Sequence, residues 1–133
     1  MQVYPYPQDI IMKRDMDLVR DLLSRIEDSN EFNGSQFVRP SRPEDFGITK
    51  HSLEEVFYNL RMLIKEGFLE GTETHNGPMV SKLTWKGHEL LDDIRDPDIW
   101  DKTKERIKGL TSVGVGLMWE IAKAEIKKKL GLP

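Results

Sequence analysis

The segment Ser52-Leu-Glu-Glu55 constrains the fold of this chain more than any other feature, because it has the sequence of a helix capping box. In such a box the serine hydroxyl and the carboxylate three residues later each bond a backbone N–H at the start of a helix. Gly67 stands where a helix ends in a left-handed residue. Between them, apolar residues recur at three- and four-residue spacings: Leu53, Val56, Phe57, Leu60, Leu63 and Ile64. The sequence therefore predicts an amphipathic helix over residues 53–66.

A β-hairpin is predicted directly after this helix. Two short segments, 68–72 and 79–84, flank Thr74-His-Asn-Gly-Pro78. The Asn-Gly pair within it tolerates the positive φ angles of a tight hairpin turn.

A first helix is predicted upstream, over residues 15–28, with Asp15 as its N-cap. Segment 29–50 is broken by glycines and prolines, so it is predicted to be a loop with a short strand near Phe37 and one helical turn at 43–46. The apolar positions that place one face of the first helix against a core are Met16, Val19, Leu22, Leu23 and Ile26.

Two further helices are predicted downstream of the hairpin. Thr84 is the N-cap of the first, and Asp96-Pro97 supplies the N-cap and first residue of the second, near 97–108. The buried side of the first is predicted to carry Trp85, Leu90, Leu91 and Ile94.

The last helix follows the flexible stretch 109–116 and combines a long apolar stripe with a basic polar side. It could pack on its own domain, pair with a second copy, or lie on an anionic membrane surface. The first two are favoured, because Glu125 can pair with Lys129 and Glu120 dilutes the positive charge. The candidate dimerisation residues are Val115, Met118, Trp119, Ala122, Ile126 and Leu130.

The order of these elements predicts a mostly α fold with a small β-hairpin, an α+β class arranged as a winged helix-turn-helix-like domain plus a C-terminal helical extension. Residues 1–11 contain Tyr4-Pro-Tyr-Pro7 and are predicted to form an extended N-terminal arm. Residues 12–96 form the winged-helix-like domain. Residues 97–133 form the extension, which is a possible dimerisation element.

Composition excludes several classes of protein. The 133 residues can bury one core, and without cysteine there is neither a disulfide framework nor a thiolate metal site. No apolar run is long enough to span a bilayer, and the N-terminus lacks the features of a signal peptide. We therefore expect a cytoplasmic protein with no integral membrane association.

The charge is unevenly divided along the chain. Residues 1–96 hold 12 Lys/Arg against 18 Asp/Glu, a net of −6, whereas residues 97–133 hold 8 against 5, a net of +3. A protein held mainly by phosphate contacts usually has a basic face. Any nucleic-acid surface here must therefore be local.

Several motifs together resemble a known family. They are Met12-Lys-Arg-Asp-Met-Asp-Leu18, Glu54-Glu-Val-Phe-Tyr-Asn-Leu60, Gly67-Phe-Leu69, and Leu83-Thr-Trp-Lys-Gly-His-Glu-Leu-Leu-Asp92 with Ile94-Arg-Asp96 and Ile99-Trp100. On these residues the chain resembles the "domain of unknown function 2513" family over most of 12–130. The resemblance implies a bacterial or phage-associated origin and assigns no activity. Members typically begin at the position of Met12, so residues 1–11 depart from the pattern.

If residues 51–66 form a recognition helix, its outward side and the hairpin are the candidate DNA surface. That side is mixed, because Glu54 and Glu55 repel phosphate unless they meet cytosine amino groups. A solvated helix face used for protein contacts fits the same residues equally well. The nucleic-acid-binding candidates are Lys50, His51, Tyr58, Asn59, Lys65 and Lys82.

The sequence predicts no catalytic residue, no cofactor and no metal site. His88-Glu-x-x-Asp92 lacks the second histidine of a zinc-protease helix, so His88 is predicted to be a surface or core-edge residue. Trp85 and Trp100 are predicted to be core anchors. Gly114-Val-Gly116 has no preceding strand and fits a hinge better than a phosphate loop.

The sequence therefore favours a non-enzymatic winged-helix protein that binds duplex DNA and regulates transcription, as a homodimer. The alternative is a protein-interaction module, an adaptor or phage accessory factor, with the same fold and no DNA binding.

Overall fold

The computed structural model describes residues 15–40, 42–48, 50–110 and 113–133. In chain order the elements are α1 (Met16–Asp28), a 3-10 turn (Pro43–Phe46), α2 (Leu53–Lys65), β1 (Leu69–Thr74), β2 (Gly77–Leu83), α3 (Trp85–Ile94), α4 (Pro97–Ile107) and α5 (Val115–Lys129). A mostly helical fold with one antiparallel hairpin confirms the predicted α+β class. The predicted arm at residues 1–11 lies outside the described residues.

The predicted helix starts are confirmed by their capping contacts. The Ser52 hydroxyl accepts a hydrogen bond from the Glu55 N–H, and the Glu55 carboxylate accepts one from the Ser52 N–H, both at 3.2 Å. Asp15 caps α1 through the N–H of Leu18 at 3.1 Å. Gly67 has a φ of +84°, which favours glycine, and α2 ends just before it.

The hairpin is longer and more tightly closed than the sequence predicted. Thr74 pairs with Gly77, which leaves His75 and Asn76 as a two-residue turn. The Thr74 hydroxyl donates to the Gly77 carbonyl at 2.7 Å and accepts from the Asn76 N–H at 3.2 Å. Of the Asn-Gly pair, only Gly77, the first residue of β2, takes a positive φ, of +120°.

A third stretch of chain adds to the outer edge of β2. Val38 and Val80 exchange two backbone hydrogen bonds, of 2.8 and 2.9 Å, and form an isolated antiparallel bridge. The Gly34 N–H also donates to the Ser81 carbonyl at 3.2 Å. This pairing lies next to Phe37, where the sequence predicted a short strand. The predicted helical turn at 43–46 is present as the 3-10 turn.

The core is one cluster in which α1 is central. α1 contacts α2, α3 and β2, and its five predicted core positions include Leu22 and Leu23, which are fully buried. The cluster also contains Trp100 of α4 and Met118 of α5. Side chains from both sides of the predicted boundary at residue 96 therefore share this core; the boundary itself stays a prediction.

Trp85 does not lie in the core. Leu90, Leu91 and Ile94 are buried as predicted, but Trp85 is 81% exposed, so its predicted burial is wrong. The reason is Gly87, whose backbone lies so close to Phe68 that an added Cβ would be 2.1 Å from the Phe68 carbonyl oxygen. This approach fixes the buried side of α3 at Gly87. Because Trp85 is two residues earlier, about 200° away around the helix, it faces outward.

The last helix packs on α3 and α4 through most of the predicted stripe, because Val115, Trp119 and Ile126 pack against the core beside the buried residues. Its buried residues are Met118, Ala122 and Glu125, whereas Leu130 is 66% exposed. Glu125 contacts Arg106 at 3.4 Å and Lys129 reaches the carboxylates of α4. The predicted Glu125–Lys129 pair is therefore wrong, because the glutamate turns into the domain.

None of the described helices is both long enough and apolar enough to cross a membrane.

Candidate binding surface on the second helix and the hairpin

One side of α2 stays open to solvent next to the hairpin. Glu54, Tyr58, Arg61 and Lys65 follow each other at spacings of four, three and four residues, which places them in one row on a helix. Glu54, Arg61 and Lys65 are exposed, and Tyr58 is half-buried. We call this row the α2 face. The opposite row of α2, Val56, Leu60 and Leu63, lies in the core.

The N-terminal end of the α2 face is held by a histidine between two carboxylates. Nδ1 of His51 lies 3.0 Å from Oε2 of Glu55, and its Nε2 lies 3.6 Å from Oδ2 of Asp15. The hydrogen bond to His51 is the main cause that lowers the pKa of Glu55 below its usual value of 4.5, and burial opposes it. Because Asp15 caps α1 and Glu55 caps α2, His51 ties the starts of the two helices together. His51, one of the candidate DNA-binding residues, therefore already contacts two carboxylates.

Asn59 is a buried structural residue and does not lie on the α2 face. It is 1% exposed, so the prediction that it points outward is wrong. Its Nδ2 donates to the Glu55 carbonyl at 2.9 Å, and its Oδ1 accepts from the Asp15 N–H at 3.3 Å. Asn59 lies one residue off the Tyr58 row and four before the buried Leu63, so its side chain turns toward α1. In this orientation it cannot contact DNA.

The hairpin is fastened to α2 by one bidentate ion pair. Nε and Nη2 of Arg61 donate to the two carboxylate oxygens of Glu73 at 2.9 and 2.8 Å. The Arg61 guanidinium also lies 5.7 Å from the centre of the Phe57 ring, and this ring packs where an added Cβ on Gly77 would fall. Hydrogen bonding to Arg61 is the main cause that lowers the pKa of Glu73. The hairpin therefore has a fixed position beside the α2 face.

Neither member of this ion pair was a predicted site residue. The signal for Arg61 was present in the sequence, since it continues the row of Glu54, Tyr58 and Lys65. The signal for Glu73 was not, because its contact with Arg61 depends on the register of the hairpin.

Lys82 lies away from the α2 face. Its Nζ is 4.0 Å from Oε2 of Glu70, and its side chain covers Gly34. It also lines a shallow pocket with Phe32 and His88, on the side of the hairpin that faces the end of α1. The structure thus places Tyr58 and Lys65 in one row of α2. Lys50 precedes that helix and lines a pocket with Asp17 and Asp21 of α1, and Lys82 lies on the hairpin near the end of α1.

The segment that carries the α2 face and the hairpin has no net charge. Residues 50–86 hold five Lys/Arg and five Asp/Glu. Within it Glu73 binds Arg61 and Glu70 approaches Lys82, whereas Lys50 and Lys65 are exposed. Among the described residues of this range, the lysines without a carboxylate partner are Lys50 before α2, Lys65 at the end of α2 and Lys86 on α3, so they do not share one element.

The motif around His88 is part of an ion-pair network on the surface. Nδ1 of His88 lies 3.3 Å from Glu27, which also binds Arg95 through two hydrogen bonds of 3.1 and 3.0 Å. The bond to Arg95 is the main cause that lowers the pKa of Glu27. This confirms His88 as a surface residue. Within the described residues no group of three or more His, Asp or Glu is placed to hold a metal ion.

These features define an α+β protein whose candidate site is a binding surface on a helix and a hairpin. The family model described as "Hypothetical protein (DUF2513)" matches residues 13–114. The chain belongs to this family, as its motifs indicated. It is also similar to an uncharacterized protein of Haemophilus influenzae, with 35% identity over 101 residues that cover 73% of this chain and 80% of that protein. No solved structure matches the chain.

Proposed function

We propose that this protein is a cytoplasmic winged-helix DNA-binding protein with a regulatory role and no catalytic activity. The observation that carries the proposal is the order and pairing of its elements. α1 is followed by a β-bridge at Val38, a helical turn, the capped helix α2 and the hairpin, and Val38 pairs with β2. In winged-helix proteins the helix in the place of α2 enters the major groove, and the hairpin is the wing.

The α2 face has the dimensions that this role requires. Its 13 residues span about 20 Å, and one helix fits within the major groove, which is about 12 Å wide. Lys50 and Lys65 stand near its two ends, where they can reach phosphates on either side of the groove. Tyr58 lies between them and presents a hydroxyl to base edges or phosphate.

The charge balance sets the expected strength and salt dependence of binding. Each phosphate contact by a cation contributes about −0.9 to the slope of log K against log salt. With Lys50 and Lys65 as the contacts, one protomer should give a slope of about −2. Binding should therefore be weak at physiological salt unless two copies act together.

The experiment is a fluorescence anisotropy titration of the full chain with a labelled random-sequence duplex over a range of salt concentrations. Lys65→Ala should weaken binding and reduce the slope by about one. Lys102→Ala is the matched control, because Lys102 is an exposed lysine of α4 that pairs with Asp98. Absence of binding at the lowest salt, or an equal loss in both variants, would refute the proposal.

A second candidate is a protein-interaction module with the same fold. The observation that favours it is the neutralised surface, in which acidic side chains already hold Arg61 and approach Lys82. Such a surface, with the half-buried Tyr58 and Met62 exposed in part, suits a protein partner better than a polyanion. The same titration separates the two, since the interaction module binds no duplex at any salt concentration.

A further inference from the structure

The predicted dimerisation stripe of α5 is used within the domain. Met118 and Ala122 are fully buried against the rest of the chain, and Trp119 packs on Phe68 at a ring distance of 5.8 Å. The Trp119 indole also donates to Asp93 at 2.7 Å. These residues cannot contact a second copy without removing α5 from its own core.

A different stripe of α5 faces solvent. It consists of Leu117, Ile121, Ala124 and Lys128, at spacings of four, three and four residues. Leu117 is 49% exposed, Ile121 is half-buried, and Ala124 and Lys128 are exposed. This spacing is that of the a and d positions of a coiled coil. We call these four residues the outer stripe.

The two edges of the outer stripe differ. One edge carries Glu120 and Lys127, seven residues apart, at the g positions of the same heptad pattern. Neither has an ion pair within the described part of the chain. The other edge carries Met118 and Glu125, which are buried, and Glu125 is held by Arg106 of α4. Only the edge with Glu120 and Lys127 can therefore exchange ion pairs with another helix.

We infer that the outer stripe binds the same stripe of a second copy, with the two α5 helices antiparallel. In this arrangement Leu117 packs against Lys128 of the second copy, and Ile121 packs against its Ala124. Glu120 then lies beside Lys127 of the second copy, and the two-fold axis repeats this pair. Ala124 leaves room for the helices to approach, and the aliphatic part of Lys128 covers Leu117.

Charge complementarity selects this direction. A parallel pair would place each g residue beside the e residue of the next heptad in the partner, so that Glu120 would face the buried acid Glu125. The antiparallel pair instead places opposite charges together twice. A small contact of this kind falls below the roughly 1,200 Å² of a stable interface, so we expect a reversible dimer of micromolar or weaker affinity.

Sedimentation equilibrium of the full chain, up to about 1 mM, tests the charge pairing in five samples, of which the native chain is the first. Glu120→Lys alone and Lys127→Glu alone should each weaken the dimer about tenfold, because each creates two like-charge contacts. An equimolar mixture of the two single variants should dimerise at least as well as the native chain. Lys65→Glu, the same charge change on α2, is the control and should leave the dimer unchanged.

Disulfide trapping tests the direction, because the native chain has no cysteine. In the antiparallel pair, equal positions at the ends of the stripe are about 16 Å apart along the axis, which no disulfide can bridge. Leu117→Cys and Lys128→Cys should therefore crosslink when mixed, and neither should crosslink alone. A native chain that stays monomeric at the highest concentration, a mixture of charge variants that fails to dimerise, or crosslinking of Lys128→Cys with itself would overturn the inference.

Discussion

The buried amide of Asn59 accepts a hydrogen bond from the backbone N–H of Asp15, 44 residues earlier, at 3.3 Å. The same amide donates to the carbonyl of Glu55, one turn earlier in α2. One side chain thus serves a backbone donor at the start of α1 and a backbone carbonyl within α2. It joins the two helices that support the α2 face.

Asn59→Leu should destabilise the protein without changing its binding surface. The replacement removes both bonds and leaves the Asp15 N–H without its partner, so we expect a loss of about 1–3 kcal/mol in the free energy of unfolding. Urea denaturation at neutral pH measures this loss. Tyr58→Ala, one residue away on the exposed row, is the control for α2 and should lose less. Equal stability of Asn59→Leu and the native protein would show that the amide is not structural.

Glu73→Gln should strengthen any binding of DNA to the α2 face. The substitution removes the negative charge that faces Arg61 and makes the surface more positive by one unit. Because the pair is exposed, the free energy of unfolding should fall by less than about 1 kcal/mol. In the salt titration the slope should steepen by about one. Glu89→Gln, on α3, removes the same charge elsewhere and should leave the slope unchanged; a weaker complex for Glu73→Gln would contradict the proposed face.

The contact between His51 and Glu55 should give a measurable acid dependence. Since the pKa of Glu55 is lowered in the folded protein, its contribution to stability is present above its usual value of 4.5 and is lost as the pH falls through the lowered value. Glu55→Gln keeps an N3 residue that can complete the capping box but has no charge beside His51 and Asp15.

The difference in free energy of unfolding between the native protein and Glu55→Gln should therefore be at most about 1 kcal/mol near pH 6 and should shrink below pH 4.5. Urea denaturation of both proteins from pH 6 to acid measures it. A difference that grows as the pH falls has the wrong sign for this mechanism.

Local sequence signals predicted the elements of this fold well, because each depends on neighbours in the chain. Ser52 and Glu55 are three residues apart, and Thr84 caps α3 through the N–H of Gly87 at 3.0 Å. The sequence did not predict the orientation of individual side chains where contacts with distant parts of the chain decide it. Trp85 faces outward because Gly87 meets Phe68, and Glu125 faces inward because α4 offers Arg106.

The candidate site was predictable to a similar extent. Helical spacing alone places Tyr58 and Lys65 in one row, and it would also have placed Arg61 there. The burial of Asn59 depends on Asp15 being 44 positions away in sequence and adjacent in space. The separation of Lys82 from α2 depends on the register of the hairpin. Neither relation leaves a periodic signal in the sequence.

The two tryptophans predicted to be core anchors should respond differently to removal. Trp100 is 2% exposed and its indole donates to Asp17 at 2.9 Å, so Trp100→Ala should lose about 3–5 kcal/mol of unfolding free energy. Trp85 contacts Glu89 at the surface, so Trp85→Ala should change stability by less than about 0.5 kcal/mol. Urea denaturation with circular dichroism measures both without relying on tryptophan fluorescence. A large loss for Trp85→Ala would mean that its indole packs on the core.

Replacing Arg106 and replacing Glu125 should cost different amounts of unfolding free energy, because only Glu125 of this ion pair is buried. Glu125 is 6% exposed, whereas the Arg106 side chain is 51% exposed. Arg106→Met leaves a buried carboxylate without its partner, and we expect a loss of about 2–3 kcal/mol in unfolding free energy. Glu125→Gln leaves a neutral amide in the same place and should lose about 1 kcal/mol.

Combining the two substitutions should lose less than the sum of the single losses, because the second change removes the unpaired charge created by the first. Lys102→Met, which breaks an exposed pair on the same helix, is the control and should lose less than about 0.5 kcal/mol. Strictly additive losses in this double-mutant cycle would mean that the arginine and the carboxylate do not interact when α5 is docked.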